Sequence, residues 1–292
     1  MQNVKTTGQR ELRLVGLSRS GNHAIINWLL AHMEGRTCFL NCVQPPQNPF
    51  ATARESDNGQ AAICNYQPFD LDAERRGVFS QKDWLLYSYE DCFITMVCSR
   101  CFEQRHDEFL GPSQDRTDLV ILRDPFNLFA SRLRSSYSGV TPLTAVRIWK
   151  QHARQVLGQR KLFTQPYLAI LYNRWVSDRE YRQQVAAKLG LPFTDADFHR
   201  VASTAGGSSF DGLQYDGAAH RMSVLDRWQH YIDEPAYLNL FDEELLELSA
   251  AIFGELPAAA AVSRRLKRTL RCSAARRVTK PSRRRVLQSP RG

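Results

Sequence analysis

The sequence lacks any long apolar run. Nowhere in its 292 residues is there a stretch close to the roughly 20 apolar residues that a membrane-spanning helix needs. The start, "MQNVKTTGQRELRL", is polar and lacks the apolar centre of a secretory signal. We therefore expect a soluble, cytoplasmic protein, long enough for one large or two small domains around a sizeable buried core.

Cysteines are few and lack the spacing of a disulfide framework. Their number, seven, is odd, which favours reduced thiols in a cytoplasm. Cys98 and Cys101 form a lone C-x-x-C ("CSRC"). A zinc site needs further ligands, and His106 alone does not complete one. No metal is therefore expected.

Acidic residues are missing from the end of the chain. Residues 263–292 contain 12 of the 39 Lys and Arg residues and no Asp or Glu. The rest of the chain has 27 basic and 30 acidic residues, so the net charge of +9 comes from this tail. Such a composition cannot bury a core. The sequence thus predicts an α/β domain over residues 1–262 and a basic tail over residues 263–292. The tail is expected to be disordered or only locally helical, and either to contact anionic lipid, RNA or a partner or to be a solvated end.

Buried strands alternate with helical segments along the chain. Residues 12–17 and 119–122 are apolar runs typical of buried strands, and an amphipathic helix follows each. Residues 44–62 and 204–220 have the composition of loops. This order predicts a three-layer, P-loop-like α/β fold in which helices flank a central parallel sheet. The other strand and helix patterns are "WLLYSYED", "PLTAVRIWKQHARQVLG", "YLAILYN", "SDREYRQQVAAKLGLPF" and "FDEELLELSAAIFG".

The stretch "GLSRSGNHAIINWLL" has the glycine spacing of a phosphate-binding loop without its Lys-Ser/Thr pair. Gly16 and Gly21 give G-x-x-x-x-G, and Asn22 and His23 follow where the lysine and the magnesium ligand of a nucleoside triphosphatase would stand. The strand before the loop and the helix after it are the context in which this spacing is informative. The loop therefore predicts an anion site that differs from that of an ATPase.

The donors at this site are expected to be backbone and side-chain groups. The N–H groups of residues 20–23 would point at whatever lies above the helix N-terminus, where the helix dipole favours an anion. Arg19 and Ser20 can each add a side-chain hydrogen bond.

A second strand-to-helix turn repeats the pattern in "TDLVILRDPFNLFASRLRS". Asp124 is suited to cap the next helix, and Pro125 fits its first turn. Arg123 leaves the strand toward the same crevice, and Ser131 lies about two turns further on. An ion pair between Arg123 and Asp124 beside the cap is the alternative. Together the two turns predict two anion sites, suited to a ligand with two separated phosphate groups.

The two turns resemble the nucleotide motifs of sulfotransferases that use 3′-phosphoadenosine 5′-phosphosulfate (PAPS). The 5′-phosphosulfate loop of that family is approximately P-K-S-G-T-T/N-x-L, which "SRSGNHAIINWL" matches with Arg19 in place of lysine. Its 3′-phosphate motif, R-D/N-P-x-x-x-x-x-S, is matched by "RDPFNLFAS" from Arg123 to Ser131. The likeness spans most of residues 12–254.

Weaker matches follow later in the chain. "SSF" resembles the family's T-S-F, which implies that Ser208 and Phe210 bind the nucleotide, with the aromatic ring against the adenine. Arg221 in "HRMSVLDRW" is expected where a late basic loop of the family contacts the 3′-phosphate. "LAILYNRW", followed by a helix and "LGLP", resembles the family's strand ending in Y-E-D-L before its F-L-G.

The resemblance implies transfer of a sulfuryl group from PAPS to an acceptor hydroxyl or amine of a carbohydrate or small molecule. Sulfuryl transfer moves less charge than transfer from a triphosphate, so fixed cationic and N–H donors can suffice without a metal. The family lysine also assists the leaving oxygen, whereas Arg19 can stabilise charge but cannot easily give up a proton. The rival interpretations are an atypical P-loop kinase and a non-catalytic nucleotide-binding scaffold of the same fold.

The resemblance also implies a general base, His or Glu, after a strand that precedes the 3′-phosphate motif. Glu90 ends the strand "WLLYSYE" and His106 lies in the polar, helical stretch "CFEQRHDEF". Glu90 is favoured because a strand end is placed more accurately than an inserted helix. The alternatives are a solvated strand end or a cap shared with Asp91 for Glu90, and a surface helix for His106.

Overall fold

The central sheet contains parallel strands with a single antiparallel edge strand. The computed structural model describes residues 8–55, 59–135, 139–203 and 206–278, and within them the strand order is β3-β2-β4-β1-β5-β6, with β3 antiparallel to β2 and the other neighbours parallel. The strands are β1 (Arg10–Gly16), β2 (Thr37–Leu40), β3 (Ala62–Cys64), β4 (Trp84–Glu90), β5 (Asp115–Leu122) and β6 (Tyr167–Leu171).

Helices follow most of the strands and cover both faces of the sheet. In the described residues they are α1 (Asn22–His32), α2 (Pro49–Thr52), α3 (Leu71–Arg75), α4 (Ile94–Val97), α5 (Arg100–Leu110), α6 (Pro125–Arg134), α7 (Pro142–Val156), α8 (Tyr172–Ser177), α9 (Arg179–Lys188), α10 (Pro235–Leu238), α11 (Glu243–Phe253) and α12 (Pro257–Val278). No helix of the described ranges combines the length and apolarity of a membrane span.

Alternation along β1 divides the core between the two faces of the sheet. Leu12 and Leu14 pack with side chains of α1 and α9, whereas Val15 packs with side chains of α5 on the opposite face. A further cluster joins the end of β5 to α6, α7 and α11. Helix, sheet and helix therefore form three layers, which confirms the predicted α/β class with a central, mostly parallel sheet.

The predicted loop over residues 44–62 contains regular structure. Asn48 caps α2 by accepting a hydrogen bond from the backbone N–H of Phe50, and Pro49 occupies the first turn. Phe50 is fully buried. The loop ends at Ala62, where β3 begins. A four-residue helix is too short for apolar periodicity, which is why composition alone predicts a loop here.

Helix α12 runs through the position at which the sequence predicts the domain to end. Val262 is fully buried, and Leu266, four residues later, packs against the same apolar cluster. Arg265 forms an ion pair with Asp233 at 2.8 Å. The chain is therefore helical beyond residue 262, while residues 279–292 of the predicted tail lie outside the described ranges. The division at 262 stays a prediction.

Candidate functional site

The turn between β1 and α1 is built on two glycines that admit no side chain. Gly21 has a φ of 89°, and a Cβ on it would lie 2.2 Å from the ring of Tyr172. A Cβ on Gly16 would lie 2.4 Å from Oδ1 of Asn22. The close approaches hold the turn against α8 and start α1 at the carboxyl edge of the sheet. The first-turn N–H groups of α1 have no acceptor within the helix and are oriented toward this edge.

Asp91 ties the turn to the neighbouring elements. Its carboxylate accepts hydrogen bonds from the backbone N–H of Ser18 (3.0 Å), the Ser18 hydroxyl (2.8 Å) and Nη1 of Arg132 (2.7 Å). Asp91 itself has a left-handed backbone conformation, with a φ of 55°, which is unfavourable for a non-glycine residue. The three donors hold β1, the end of β4 and α6 together, so Asp91 has a bracing role.

Glu90, one residue earlier, faces the cleft beside this turn. Nδ2 of Asn22 donates to Oε1 of Glu90 (2.8 Å) and also to the carbonyl oxygen of Leu17 (3.0 Å). Nε2 of His23 lies 3.1 Å from Oδ1 of Asn41. The side chains at the two positions of the missing Lys-Ser/Thr pair therefore contact the ends of β4 and β2, on one side of the cleft.

Two buried arginines meet at one hydroxyl on the other side of the cleft. Nη1 of Arg123 lies 3.2 Å and Nη1 of Arg227 lies 3.1 Å from Oγ of Ser131. Arg123 also donates to the carbonyl oxygens of Arg19 (3.0 Å) and Val224. The sequence pattern around "RDPFNLFAS" thus places a guanidinium against the helix-borne serine, and a second guanidinium arrives from a distant loop.

The arginine pair leaves an excess of positive charge in a buried position. Burial lowers the pKa of Arg123. Burial, together with the charge of Arg123, lowers the pKa of Arg227 to about 10. Asp211 accepts from Arg227 at 3.2 Å, whereas Asp124 is engaged at the start of α6 by Asn127 and Asn173. Two converging cations against one contacting carboxylate favour binding of an anion between them.

The loop and the arginine pair line a single cleft of about 340 Å³ at the carboxyl edge of the sheet. Nε of Arg123, which lines the cleft, is buried without a hydrogen-bond partner in the described structure, as expected of a group that completes its bonding with a ligand. Oγ of Ser20 in the loop is also buried without a partner, but Ser20 does not line the cleft. The polar and charged residues lining the cleft are Ser18, Arg19, Asn22, His23, Asn41, Arg54, Glu55, Glu90, Arg123, Ser208, Ser209 and Arg227.

The structure brings most of the sequence-predicted residues to the lining of this cleft. Those that do not line it in the described structure are Ser20, His106, Ser131, Phe210 and Arg221. Arg221 ends an exposed 3-10 turn (Ala219–Arg221), where its guanidinium lies 5.6 Å from the ring of Tyr215. Arg227, in the same short stretch, lies in the cleft instead, because Trp228 after it is held to α6 through Asn127. Because this contact is made by the backbone N–H of Trp228, it leaves no side-chain signal in the sequence that would separate Arg227 from Arg221.

The glycine-rich loop contributes Ser208 to the cleft. Its hydroxyl accepts from Nη2 of Arg227 at 2.7 Å. Phe210 lies behind this contact, with its ring 5.0 Å from the Arg227 guanidinium, and does not line the cleft in the described structure. Gly207 accepts from Nη1 of Arg19 at 3.2 Å, which joins this loop to the phosphate-loop turn. Thr204 and Ala205 of the predicted loop lie outside the described residues.

His106 does not lie at the cleft, which argues against the prediction of His106 as a candidate base. It is buried on α5, with Nε2 2.7 Å from Oε2 of Glu11 and Nδ1 2.7 Å from Asp107. Glu11 lies near the amino end of β1, at the edge of the sheet opposite to the cleft. Burial alone would raise the pKa of Glu11, but His106 and Arg116 hold it at about 2. His106 therefore belongs to a structural ion cluster.

The two cysteines of the C-x-x-C pair differ in their exposure to solvent. Cys98 is half-buried, and Cys101 is exposed at the start of α5. No group of three or more His, Cys, Asp or Glu side chains suited to a metal ion occurs among the residues the structure describes.

No family model and no curated protein matches this sequence. Among solved structures, the chain is similar to a sulfotransferase domain from the Synechococcus PCC 7002 olefin synthase, with 16% identity, 85% of this chain and 96% of that chain covered, and a TM-score of 0.48. A sulfotransferase domain from the curacin biosynthetic pathway gives 15% identity, 85% and 99% coverage, and a TM-score of 0.48. Mouse sulfotransferase SULT7A1 complexed with PAP gives 12% identity, 87% and 88% coverage, and a TM-score of 0.47.

Proposed function

We propose that this protein is a sulfotransferase that moves the sulfuryl group of PAPS to a hydroxyl or amine of a carbohydrate or small molecule. The observation that carries the proposal is the convergence of Arg123 and Arg227 on Ser131, across a cleft from the glycine turn that starts α1. Two anion sites in one cleft suit a nucleotide with phosphate groups on two separate carbons of its ribose. A nucleoside triphosphate carries its phosphates in one chain, so it would occupy the two separate anion sites less well.

The two ends of the donor would bind by different means. The 5′-phosphosulfate would lie over the N-terminus of α1, where first-turn N–H groups and the side chains of Arg19 and Ser20 donate. The 3′-phosphate would lie between Arg123 and Arg227, replacing part of the water that a buried guanidinium loses. Its negative charge would relieve the repulsion between the two cations.

Glu90 is the side chain best suited to act as general base. Its Oε1 is anchored by Asn22, so an acceptor hydroxyl would pass its proton to Oε2. The acceptor oxygen would form a bond to sulfur while the bond between sulfur and the 5′-phosphate oxygen breaks, and the 3′,5′-bisphosphate would leave. Asp91 is less suited because three donors already occupy its carboxylate.

The cytoplasm is the proposed location. Six cysteines are free thiols, which supports a reducing compartment; they are Cys38, Cys42, Cys64, Cys92, Cys98 and Cys101. The basic residues after position 262 remain a candidate contact for an anionic surface.

Ligand-dependent melting tests the proposal. Adenosine 3′,5′-bisphosphate without magnesium is expected to raise the melting temperature, because a ligand at 100 times its Kd stabilises the native state by about 2.7 kcal/mol. ATP with magnesium is expected to do markedly less. A larger shift from ATP with magnesium would favour a kinase, and equal shifts would argue against two separate anion sites.

Radiolabelled PAPS with a panel of sugars, phenols and amines then tests turnover. Transfer of label to an acceptor is the expected result and identifies its class. Tight binding of the bisphosphate with no transfer to any acceptor would favour the non-catalytic scaffold.

A further inference from the structure

His23 occupies a position that phosphate loops direct at the reacting end of the nucleotide. In G-x-x-x-x-G-K-[ST], the last residue carries the hydroxyl that binds the magnesium ion beside the terminal phosphates. Counting from Gly16, this residue is His23. Its side chain is half-buried and lines the cleft together with Glu90. An imidazole therefore stands where the loop places a group next to the bond that breaks.

The surrounding hydrogen bonds place one proton of the imidazole on Nε2. Oγ of Ser88 accepts from the backbone N–H of Cys42 (2.9 Å), so its own proton is directed at Oδ1 of Asn41, 3.3 Å away. Oδ1 of Asn41 is thus an acceptor, and Nε2 of His23, 3.1 Å from it, carries a proton. Nδ1 is then the ring nitrogen left to interact with a ligand.

The other side chains of the loop lack a proton that they can release near neutral pH. The Arg19 guanidinium holds its proton over the whole working range. The Asn22 amide is not an acid, and it is already engaged with Glu90 and Leu17. Histidine is the side chain whose ordinary proton affinity suits transfer at neutral pH.

We propose that His23, in its imidazolium form with a proton on each ring nitrogen, is a catalytic acid that donates the Nδ1 proton to the departing 5′-phosphate of the donor. This inference rests on the proposed sulfotransferase function. As the acceptor oxygen bonds to sulfur, the sulfur–oxygen bond breaks and its electron pair stays on the phosphate oxygen. That oxygen takes the Nδ1 proton while Glu90 takes the acceptor's proton. Glu90 then returns its proton to His23 through solvent, which restores both groups. The proton that His23 donated leaves the site on the 5′-phosphate of the bisphosphate, so one proton is produced in each cycle.

Charged side chains of both signs line the same cleft as the imidazole. They come from the loop itself, the end of β4, the segment after α2, the end of β5 and the turn at Arg227–His230, and they are Arg19, Arg54, Glu55, Glu90, Arg123 and Arg227. Because all of these groups are shared between the native protein and a His23 variant, differences in the pH profile between the two report on position 23.

Turnover of His23→Asn provides the first arm of the test. An asparagine keeps a hydrogen-bonding side chain but has no acidic proton. The expected loss in kcat is about 10²- to 10⁴-fold, with bisphosphate affinity within a few-fold of native. The fall of kcat on the alkaline side of the native profile is expected to disappear. His220→Asn, a change at an exposed histidine outside the cleft, is the matched control.

The second arm does not depend on turnover. The titration of the His23 ring is followed by NMR, with His23→Asn used to assign its signal. Adenosine 3′,5′-bisphosphate is expected to raise the midpoint pH of this titration, because its 5′-phosphate would lie beside Nδ1. Adenosine 3′-monophosphate has no 5′-phosphate and is expected to leave the midpoint pH unchanged. An unmoved midpoint with the bisphosphate bound, or native kcat in His23→Asn, would overturn the role of His23 and leave the proposed function standing. Failure of the bisphosphate to bind would remove both.

Discussion

Arg221 and Arg227 show how strongly the surroundings of a residue decide its role. Both belong to one stretch of "HRMSVLDRW" and carry the same charge, but Arg221 is exposed and Arg227 is buried. Arg227 has lost most of its contact with water, and among the residues that the structure describes Asp211 is the one carboxylate in direct contact with it. A buried guanidinium in this state gains more from an anionic ligand than an exposed one does, because water no longer competes for its donors.

Alanine substitution at the two arginines is expected to separate them. Arg227→Ala removes a charged partner of the proposed 3′-phosphate and is expected to weaken binding of adenosine 3′,5′-bisphosphate by about 2–3 kcal/mol. Arg221→Ala, the matched control, is expected to change it by less than about 0.5 kcal/mol. Isothermal titration calorimetry at fixed salt measures both. An equal loss in both variants would contradict the assignment of Arg227.

Substitution of Glu90 is expected to lower the turnover number and to change the affinity for the nucleotide little. Glu90→Gln keeps the amide contact with Asn22 possible but cannot accept the acceptor's proton, so kcat is expected to fall by about 10²- to 10⁴-fold. Bisphosphate affinity measured by calorimetry is expected to stay near native, because the proposed nucleotide contacts lie on the loop and around Ser131. Asp91→Asn, in contrast to Glu90→Gln, is expected to lower the stability of the fold, since it weakens three bracing hydrogen bonds. Undiminished turnover in Glu90→Gln would move the base elsewhere.

At the level of elements, α5 is joined to β1 by a buried ion cluster at the edge of the sheet opposite to the cleft. His106 on α5 contacts Glu11 on β1, and Arg116 on β5 lies 3.4 Å from the same carboxylate. The charges of His106 and Arg116 outweigh burial and lower the pKa of Glu11, while the contact with Glu11 outweighs burial and raises the pKa of His106. This cluster joins α5, β1 and β5 at the edge of the sheet opposite to the proposed site.

The cluster predicts a pH-dependent contribution of His106 to stability. The pKa of His106 is higher in the folded state, so its stabilisation is fully present below the ordinary value of 6.5 and is lost as pH rises through the raised pKa. The lowered pKa of Glu11 adds stability above its ordinary value of 4.5, which is lost as pH falls toward about 2. Urea unfolding of native protein and His106→Asn is therefore expected to differ more at pH 6 than at pH 9, with turnover retained. A difference that grows with pH would contradict the ion-pair account.

Elements with a strong periodic pattern could be predicted from the sequence, and contacts between distant segments could not. The strand, glycine turn and helix over β1 and α1 follow from an apolar run, two glycines and helical spacing, all of which are local. Helix α2 was not predicted, because the features that hold it are a single cap, Asn48, and a single buried aromatic ring, Phe50. The position of His106 was not foreseen and Arg227 was missed, because each is placed by a contact about a hundred residues away: Glu11 with His106, and Asn127 with Trp228 beside Arg227.

On the scale of the whole molecule, the last described helix joins the body to the basic end of the chain. Ala258 and Val262 of α12 are buried in the cluster around α6, α7 and α11, and Leu266 extends this contact by one turn. The ion pair of Arg265 with Asp233 is largely exposed and adds little. Among the residues of the predicted tail whose side chains the structure describes, the turn that carries Leu266 therefore contributes the apolar contact with the body.

Two truncations are expected to locate the end of the folded body. A chain ending at Val278 keeps all of α12 and loses only a segment whose composition offers no apolar face, so its melting temperature is expected to match that of the full chain. A chain ending at Val262 loses the Leu266 contact, which is worth about 1 kcal/mol at partial burial, and its melting temperature is expected to fall by roughly 2–4 °C. Bisphosphate affinity is expected to persist in both, because α12 supplies no lining residue of the cleft in the described structure. Scanning calorimetry with and without the bisphosphate measures these quantities. Equal melting temperatures for the two truncations would show that the body ends at 262, as the sequence alone predicts.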